Sequence, residues 1–468
     1  MTTMTIFALW GRERAAEAAI DGLLALQHRG QEAAGLVTSD GTGLFVRRGR
    51  GLVAEALAGA EALPGDRALG HVRDRAAADE EPPDGQPFVE TSGRFALVIS
   101  GGFTEPESGA LLSAGVPERS AASFSPAGAR RPAAAPAEGV APAEGAASAF
   151  FFRLAAALAS GGGSGTAPEA AFAALLRRLR GGFAAAALFP DRLLVARDPH
   201  GIRPLSYGRI PGGVAVATET PALYAVGATD VADVPPGMLL IADGAGFRAV
   251  PFAEPGPLAL CSFELLYFAR PDAAMDGRVA HVVRRALGRR LAEEAPAEGE
   301  VVIGVPDSSL SAAMGFAEAS GLPFDFGLIK NRYVGRTFIR PEAPAREQGV
   351  RRKLAVLAPV VRGRSVVVVD DSIVRGTTMR RIVKLLREAG ARAVHVRIAA
   401  PPVRHPCPYG VNFTSRDELI AARADVEAMR RTIGAESLRF LSPEGFRAAV
   451  GGGVCLGCFQ GEYPVAWR

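Results

Sequence analysis

The apolar residues of this chain fall into two regimes. Up to about residue 258 they come in short β-like runs, such as Phe95-Ala96-Leu97-Val98-Ile99 and Arg192-Leu193-Leu194-Val195-Ala196, which predict an α+β domain over residues 1–258. From 259 to 468 the pattern alternates. Helical spacing over 277–294 precedes the strand Val301-Val302-Ile303-Gly304-Val305. Then come a helix from about Leu310, a strand near 326–329, the run Val366-Val367-Val368-Val369, a helix ending at Gly390 and a strand over 393–398. Repeated βα units predict an α/β domain with a parallel sheet and right-handed crossovers. Beyond Pro401-Pro402 the tail reads as mostly helical. Between about 104 and 148 periodicity vanishes, and Ala-Pro-Ala-Glu-Gly occurs at both 135–139 and 141–145. With few apolar anchors, this Ala/Pro-rich insert predicts a disordered loop.

Four consecutive valines do not make a half-exposed alternating strand; they suit a strand covered on both faces. The run ends in Asp370-Asp371, at the carboxyl end of the strand, where open α/β sheets bind ligands. Ser372, Val374, Arg375, Gly376, Thr377 and Thr378 follow, and Ile382, Val383, Leu385 and Leu386 recur at helical spacing. The two threonines therefore lie at or near a helix N-terminus, where free N–H groups suit a phosphate. A second such turn, Pro306-Asp307-Ser308-Ser309, follows the 301–305 strand, and the two turns suit the two phosphate ends of one ligand. Lys330, Arg332, Tyr333 and Arg336 form a cationic segment with Gly335 as its hinge. An acid pair after an apolar strand is by itself often structural or metal-only. The Arg-Gly-Thr-Thr continuation makes this one more specific.

At 468 residues, 22% charged and 48% hydrophobic, the chain has room for a substantial core. Its formal charge of +4 fits an anionic ligand, but the arginines are spread without aromatic interleaving, which argues against a nucleic-acid partner. No apolar run approaches the roughly 20 residues needed to span a bilayer, so a cytoplasmic chain with no membrane partner is expected. The four cysteines, Cys261, Cys407, Cys455 and Cys458, all fall in the last half. In a reducing compartment metal binding is the leading alternative to plain buried thiols, and spacing does not choose between zinc and an iron–sulfur cluster.

Several segments together resemble the amidophosphoribosyltransferase family, whose donor is phosphoribosyl pyrophosphate (PRPP). They are Cys261-Ser262-Phe263-Glu264, Tyr267-Phe268-Ala269-Arg270-Pro271-Asp272, Gly304-Val305-Pro306-Asp307-Ser308-Ser309, residues 330–338, Arg346-Glu347-Gln348-Gly349-Val350 and the acid-pair loop. The resemblance implies a type I phosphoribosyltransferase domain over 259–468. It implies Mg²⁺ on Ser308, Asp370 and Asp371, and PRPP contacts from Asp307, Ser308, Ser309, Lys330, Tyr333, Asp370, Asp371, Ser372, Val374, Arg375, Gly376, Thr377 and Thr378. Lys330, Arg332 and Arg336 would act with the acid pair in catalysis as residues 330–338 close over pyrophosphate. One subgroup of the family holds a 4Fe–4S cluster, and the four cysteines match its ligand positions. A homo-oligomer, dimer or tetramer, is implied as well.

The N-terminal half resembles the same family through Leu26-Gln27-His28-Arg29-Gly30-Gln31-Glu32, His71-Val72-Arg73, Gln86-Pro87-Phe88 and the stretch from Ala196 to Leu205. This implies an N-terminal-nucleophile glutaminase fold, a four-layer αββα sandwich. Its functional positions depart from the family. Met4-Thr5 stands where the family has Cys-Gly, Ile99-Ser100-Gly101-Gly102 where it has His-Asn-Gly-Asn, and Asp74 where it has Tyr; no cysteine precedes Cys261. Arg73, which meets the glutamine carboxylate in the family, is kept. From these changes we expect glutaminase activity to be absent and the acceptor to be a nitrogen nucleophile not drawn from glutamine. The expected acceptor is a heterocyclic base of the 7-deazapurine type, as in nucleoside-antibiotic biosynthesis. Free ammonia and a non-catalytic PRPP-binding subunit are the alternatives.

Overall fold

The structure, a computed structural model, describes residues 5–74, 86–90, 92–104, 143–159, 167–331, 354–413 and 415–466. Two antiparallel sheets build the first half. One runs in the order Thr229–Asp233, Ser206–Ile210, Gly213–Ala217, Phe7–Trp10, Arg67–Arg73, Ala33–Ser39, Leu44–Arg50. The other runs Gly246–Pro251, Met238–Asp243, Arg192–Arg197, Arg180–Leu188, Ala96–Thr104, Phe88–Val89. Alternation of side chains explains how they stack. Ala8, Val37, Leu69, Val98, Ala186, Val195 and Val216 meet between the sheets. Phe7 and Leu9 take the opposite face, against the helices Ala15–Ala25 and Thr220–Ala225. The second sheet turns Leu97, Ile99, Phe183 and Leu194 outward onto the helices Ala143–Ala159 and Pro168–Leu176. The result is the helix–sheet–sheet–helix sandwich expected.

The second half holds a parallel sheet in the order Val301–Gly304, Ser365–Asp370, Ala393–Ile398, Ser437–Phe440. Its motif strand is buried at every position, as four valines in a row require. The helices Ala280–Glu294, Leu310–Ser320 and Thr377–Glu388 contribute Leu287, Phe316 and Ile382 to the same core.

Three elements differ from the sequence expectation. The segment near 326–329 is not in the parallel sheet: Leu328–Lys330 pairs antiparallel with Leu354–Val356, and its exposed Ile329 and Lys330 mark a projecting ribbon. The tail is not all helical, because Ser437–Phe440 adds a fourth parallel strand. The helix expected from 277 starts at Ala280, since Asp276 and Gly277, both at positive φ, turn the hairpin between Ala274–Met275 and Arg278–Val279. Most of the predicted disordered insert, residues 105–142, lies outside the described residues. Its last part, 143–148, belongs to the helix Ala143–Ala159, where Ala and Glu favour that state. No helix among the described residues is long and apolar enough to cross a membrane.

Candidate active site

Gly304 pairs with Val369, so the strands Val301–Gly304 and Ser365–Asp370 end side by side and their following turns share one edge of the sheet. Asp370 and Asp371 are both buried there. Serine hydroxyls from the neighbouring turn meet them: Ser309 Oγ donates to Asp370 Oδ1 at 2.8 Å, and Ser308 Oγ donates to Asp371 Oδ2. Ser372 Oγ donates to Asp371 Oδ1 at 2.8 Å. Burial pushes both carboxyls above the usual range, and Asp371 pushes Asp370 further. The serine hydroxyls oppose the rise, as does the Arg284 guanidinium at Asp371.

The loop after the acids is shaped by Gly376, whose φ of 77° opens the helix Thr377–Glu388. No side chain caps that helix, so its first N–H groups are free to meet an anion. Thr377 and Thr378 are exposed at this end. Ile420 N donates to Val374 O at 2.9 Å and Arg375 pairs with Glu418, which ties the loop to the segment after Ser415. Across the edge, Lys330 Nζ lies 2.9 Å from Asp307 Oδ2, so the projecting ribbon delivers its cation to the second turn. Arg332, Tyr333 and Arg336 lie outside the described residues.

Two further side chains act electrostatically on this site: Tyr267, from one of the family-like segments, and Arg284, from none of them. Tyr267 lies in the π-turn Glu264–Phe268, its hydroxyl pushed up to about 12 by burial and then by Asp371 and Asp370. Arg284, 1% exposed, stands on the helix Ala280–Glu294 and draws Asp371 down.

In the first half, Arg73 ends the strand Arg67–Arg73, and Ser100 and Gly101 stand in the strand Ala96–Thr104 opposite Ala184 and Phe183. Met4 lies outside the described residues. Thr5 is fully buried, its hydroxyl donating to Val72 O and accepting from Val72 N, which ties it into the sheet.

Leu260–Cys261 pairs in parallel with Val454–Cys455, setting Cys261 opposite Cys455. Cys407 and Cys458 are buried: Cys458 is raised by burial and then by all three other thiols, and Cys455 is pushed up to about 12 by burial, with Cys407 and Asp198 adding to the rise. Among the described residues, however, no group of three or more His, Cys, Asp or Glu is arranged to hold a metal ion. The compact thiolate set expected for the 4Fe–4S cluster is thus not assembled.

Residues 276–409 match the phosphoribosyl transferase domain, and residues 165–225 match the glutamine amidotransferase domain. The amidophosphoribosyltransferase of Bacillus subtilis (strain 168) is 41% identical over 98% of this chain and 94% of its own length. That of Mycobacterium bovis is 42% identical over 98% of this chain and 86% of its own length. The chain belongs to the amidophosphoribosyltransferase family. The solved glutamine PRPP amidotransferase from B. subtilis, complexed with ADP and GMP, superposes with a TM-score of 0.84 at 39% identity, covering 99% of this chain and 98% of that one. A structure described as the allosteric regulatory enzyme of purine biosynthesis matches with a TM-score of 0.85 at 39% identity, covering 99% and 97%. An N-terminal-nucleophile amidotransferase domain followed by a type I phosphoribosyltransferase domain is therefore the fold of this amidophosphoribosyltransferase-family chain.

Family membership overturns the expected acceptor. Relatives that align end to end with this chain are amidophosphoribosyltransferases, and nothing among them supports a 7-deazapurine base or another acceptor unrelated to glutamine. The matched amidotransferase domain also counts against the expected absence of glutaminase. The physical reason is that Ser100 and Gly101 sit within a fully paired strand, so their departures from the family leave the surrounding sandwich whole. Those positions alone do not define the nitrogen source. Residues 1–260 contain no cysteine, so that stretch offers no thiol nucleophile.

Proposed function

We propose that this protein transfers nitrogen to C1 of PRPP in purine biosynthesis, forming phosphoribosylamine and releasing pyrophosphate, with glutamine or ammonia as the nitrogen source. The observation that carries the reading is the pair of turns at one sheet edge, where Ser308 and Ser309 hold the buried Asp370–Asp371 pair beside the uncapped start of the helix Thr377–Glu388. In this reading the acids hold the ribose hydroxyls. Ser372, Val374, Arg375, Gly376, Thr377 and Thr378 enclose the 5′-phosphate with backbone N–H groups and hydroxyls. Asp307, Ser308, Ser309 and Lys330 receive the pyrophosphate end, and Arg332, Tyr333 and Arg336 complete the closing segment. With glutamine as the source, water first cleaves the side-chain amide C–N bond, leaving glutamate and releasing ammonia; the C1–O bond of PRPP then breaks towards pyrophosphate, the ammonia lone pair forms the new C1–N bond, and the nitrogen loses a proton to solvent. In this reading residues up to about 258 supply the nitrogen and the residues after them transfer the phosphoribosyl group.

The acid pair fits a divalent cation, because two buried carboxyls raised by burial and mutual repulsion are relieved by a positive charge between them. Ser308, Asp370 and Asp371 would hold Mg²⁺ with PRPP, and the ion would neutralise charge developing on the leaving pyrophosphate. By donor chemistry, four sulfurs at Cys261, Cys407, Cys455 and Cys458 suit either zinc or an iron–sulfur cluster. Their thiols influence one another, yet no three of them meet around one point. The buried Arg203 adds a cation that acts on Cys261 and Cys407, with its Nε and Nη1 unpartnered in the structure. A 4Fe–4S cluster there would be structural, tying Val454–Cys455 to Leu260–Cys261. Anaerobic purification followed by iron and sulfide analysis should find about four of each per chain, as the four-cysteine cluster requires; a metal-free product removes it. Light scattering of the same material decides whether the chain forms the implied dimer or tetramer.

The test of the reaction follows pyrophosphate release from PRPP and Mg²⁺, with glutamine and with ammonium in separate assays, since residues 1–260 contain no cysteine. Release that requires one of these nitrogen sources is expected. Silence with both rejects the assignment.

A further inference from the structure

The loop that follows the acid pair is held by a distant stretch of chain, and part of that hold falls on the loop's own cation. Arg375 stands one residue before Gly376, which opens the helix Thr377–Glu388, and its side chain is 64% exposed. Its Nε donates to Glu418 Oε2 at 3.1 Å, and its Nη2 donates to the same oxygen. Glu418 is not a free surface acid. It closes the short turn Arg416–Glu418, which Ser415 caps by accepting from Asp417 N at 3.2 Å, and the next residue, Leu419, is fully buried. Ile420 N then donates to Val374 O at 2.9 Å, and Ile420 Cδ1 lies 3.0 Å from where a Cβ on Gly376 would stand. Backbone bond, ion pair and apolar contact thus fall on three consecutive loop residues, Val374, Arg375 and Gly376. The carboxylate takes one edge of the guanidinium. A planar group with five N–H donors keeps Nη1 and the second Nη2 proton for a phosphate oxygen.

We propose that Glu418 is a positioning residue for PRPP: it holds the Arg375 side chain of the 5′-phosphate loop in one orientation before the ligand arrives. This rests on the transferase reading above. An exposed arginine released from Glu418 spreads over many rotamers, and binding a phosphate must then gather them. The carboxylate's own repulsion of that phosphate is weakened by water and by the guanidinium it pairs with, so preorganisation outweighs it. An exposed ion pair contributes little to folding, so its loss should appear in binding and spare stability. The experiment is a double-mutant cycle of wild type, E418A, R375M and the double variant, each with kcat, KM for PRPP and a thermal unfolding midpoint. In the wild-type background E418A should raise KM about fivefold, which at 1.4 kcal/mol per tenfold is about 1 kcal/mol, with kcat within about twofold and the midpoint unmoved. In the R375M background the same change should alter kcat/KM by less than about 1.5-fold, because the side chain it positions is gone. An unchanged KM in E418A overturns the proposal, and so does a lowered one, since Glu418 would then be withholding Arg375 from the ligand. Equal losses in both backgrounds overturn it too, as does a fall in kcat that follows a lowered midpoint, because a purely structural glutamate behaves that way. If E418A does not fold, E418Q, which removes the charge and keeps the length, decides by the same criteria. Wild-type protein that releases no pyrophosphate with either nitrogen source rejects the transferase reading and this proposal with it, whereas active wild type with an additive cycle rejects the proposal alone.

Discussion

Asp371 receives hydroxyls from two chain segments about 60 positions apart, Ser308 at one end and Ser372 beside it. Replacing Asp371 by Asn keeps the size of the side chain and removes its charge. In the proposed reading the site then loses a cation ligand and one contact to the ribose together. Asp371→Asn should lower kcat/KM for PRPP by about a hundredfold or more, in the range seen when a preorganised charge-stabilising group is removed. A variant within fivefold of wild type would place the metal and ribose elsewhere. These residues were legible in the sequence because each lies in a contiguous turn after an apolar strand. The electrostatic link of Tyr267 and Arg284 to the acids was not legible. One stands in a π-turn and the other on a helix, and no local spacing ties either to the acid pair.

At the scale of elements, the acid-pair loop depends on one backbone conformation. Gly376 sits at φ 77°, and a Cβ there would come 3.0 Å from Ile420 Cδ1. Alanine at 376 should therefore either strain the loop or move it, and it adjoins the helix start proposed for the 5′-phosphate. We expect Gly376→Ala to raise KM for PRPP about tenfold, matching a conformational penalty of about 1–2 kcal/mol. Gly434 provides the control. It has φ 78° at the end of the helix Val426–Ile433, with nothing within 4 Å of a Cβ, so Gly434→Ala should cost stability and leave KM unchanged. Equal KM values in both variants would show that the loop tolerates an L-residue. The βα order that builds this loop was readable from periodicity. The ribbon Leu328–Lys330 and the edge strand Ser437–Phe440 were not, because segments of three and four residues carry too few positions to separate strand from loop.

Across the whole molecule, the halves are joined by a buried ionic network that the motif Leu26-Gln27-His28-Arg29 did not disclose. Its partners Glu219 and Glu264 lie about 190 and 235 positions away. Arg29 bridges the two carboxylates, Glu264 also meets Arg203, and Glu219 Oε2 accepts from Arg270 N at 3.0 Å. Burial works to raise Glu219, but His28 and Arg29 outweigh it and bring its carboxyl to about 2 from an ordinary 4.5. A carboxyl lowered in this way adds stability that is whole above about pH 4.5 and is lost as pH falls towards 2. Arg29→Met removes the shared cation and leaves two buried acids short of a partner. The variant should lose about 3–5 kcal/mol at pH 7, as breaking a buried pair from one side does. Because wild type forfeits the same interaction in acid, the gap between the two should narrow as pH is lowered from about 4.5 towards 2. Denaturant unfolding at a series of pH values measures it. A gap that stays constant through that window would mean that Arg29 contributes packing, through Phe268 and its other neighbours, and that charge pairing does not hold the amidotransferase half to the transferase half.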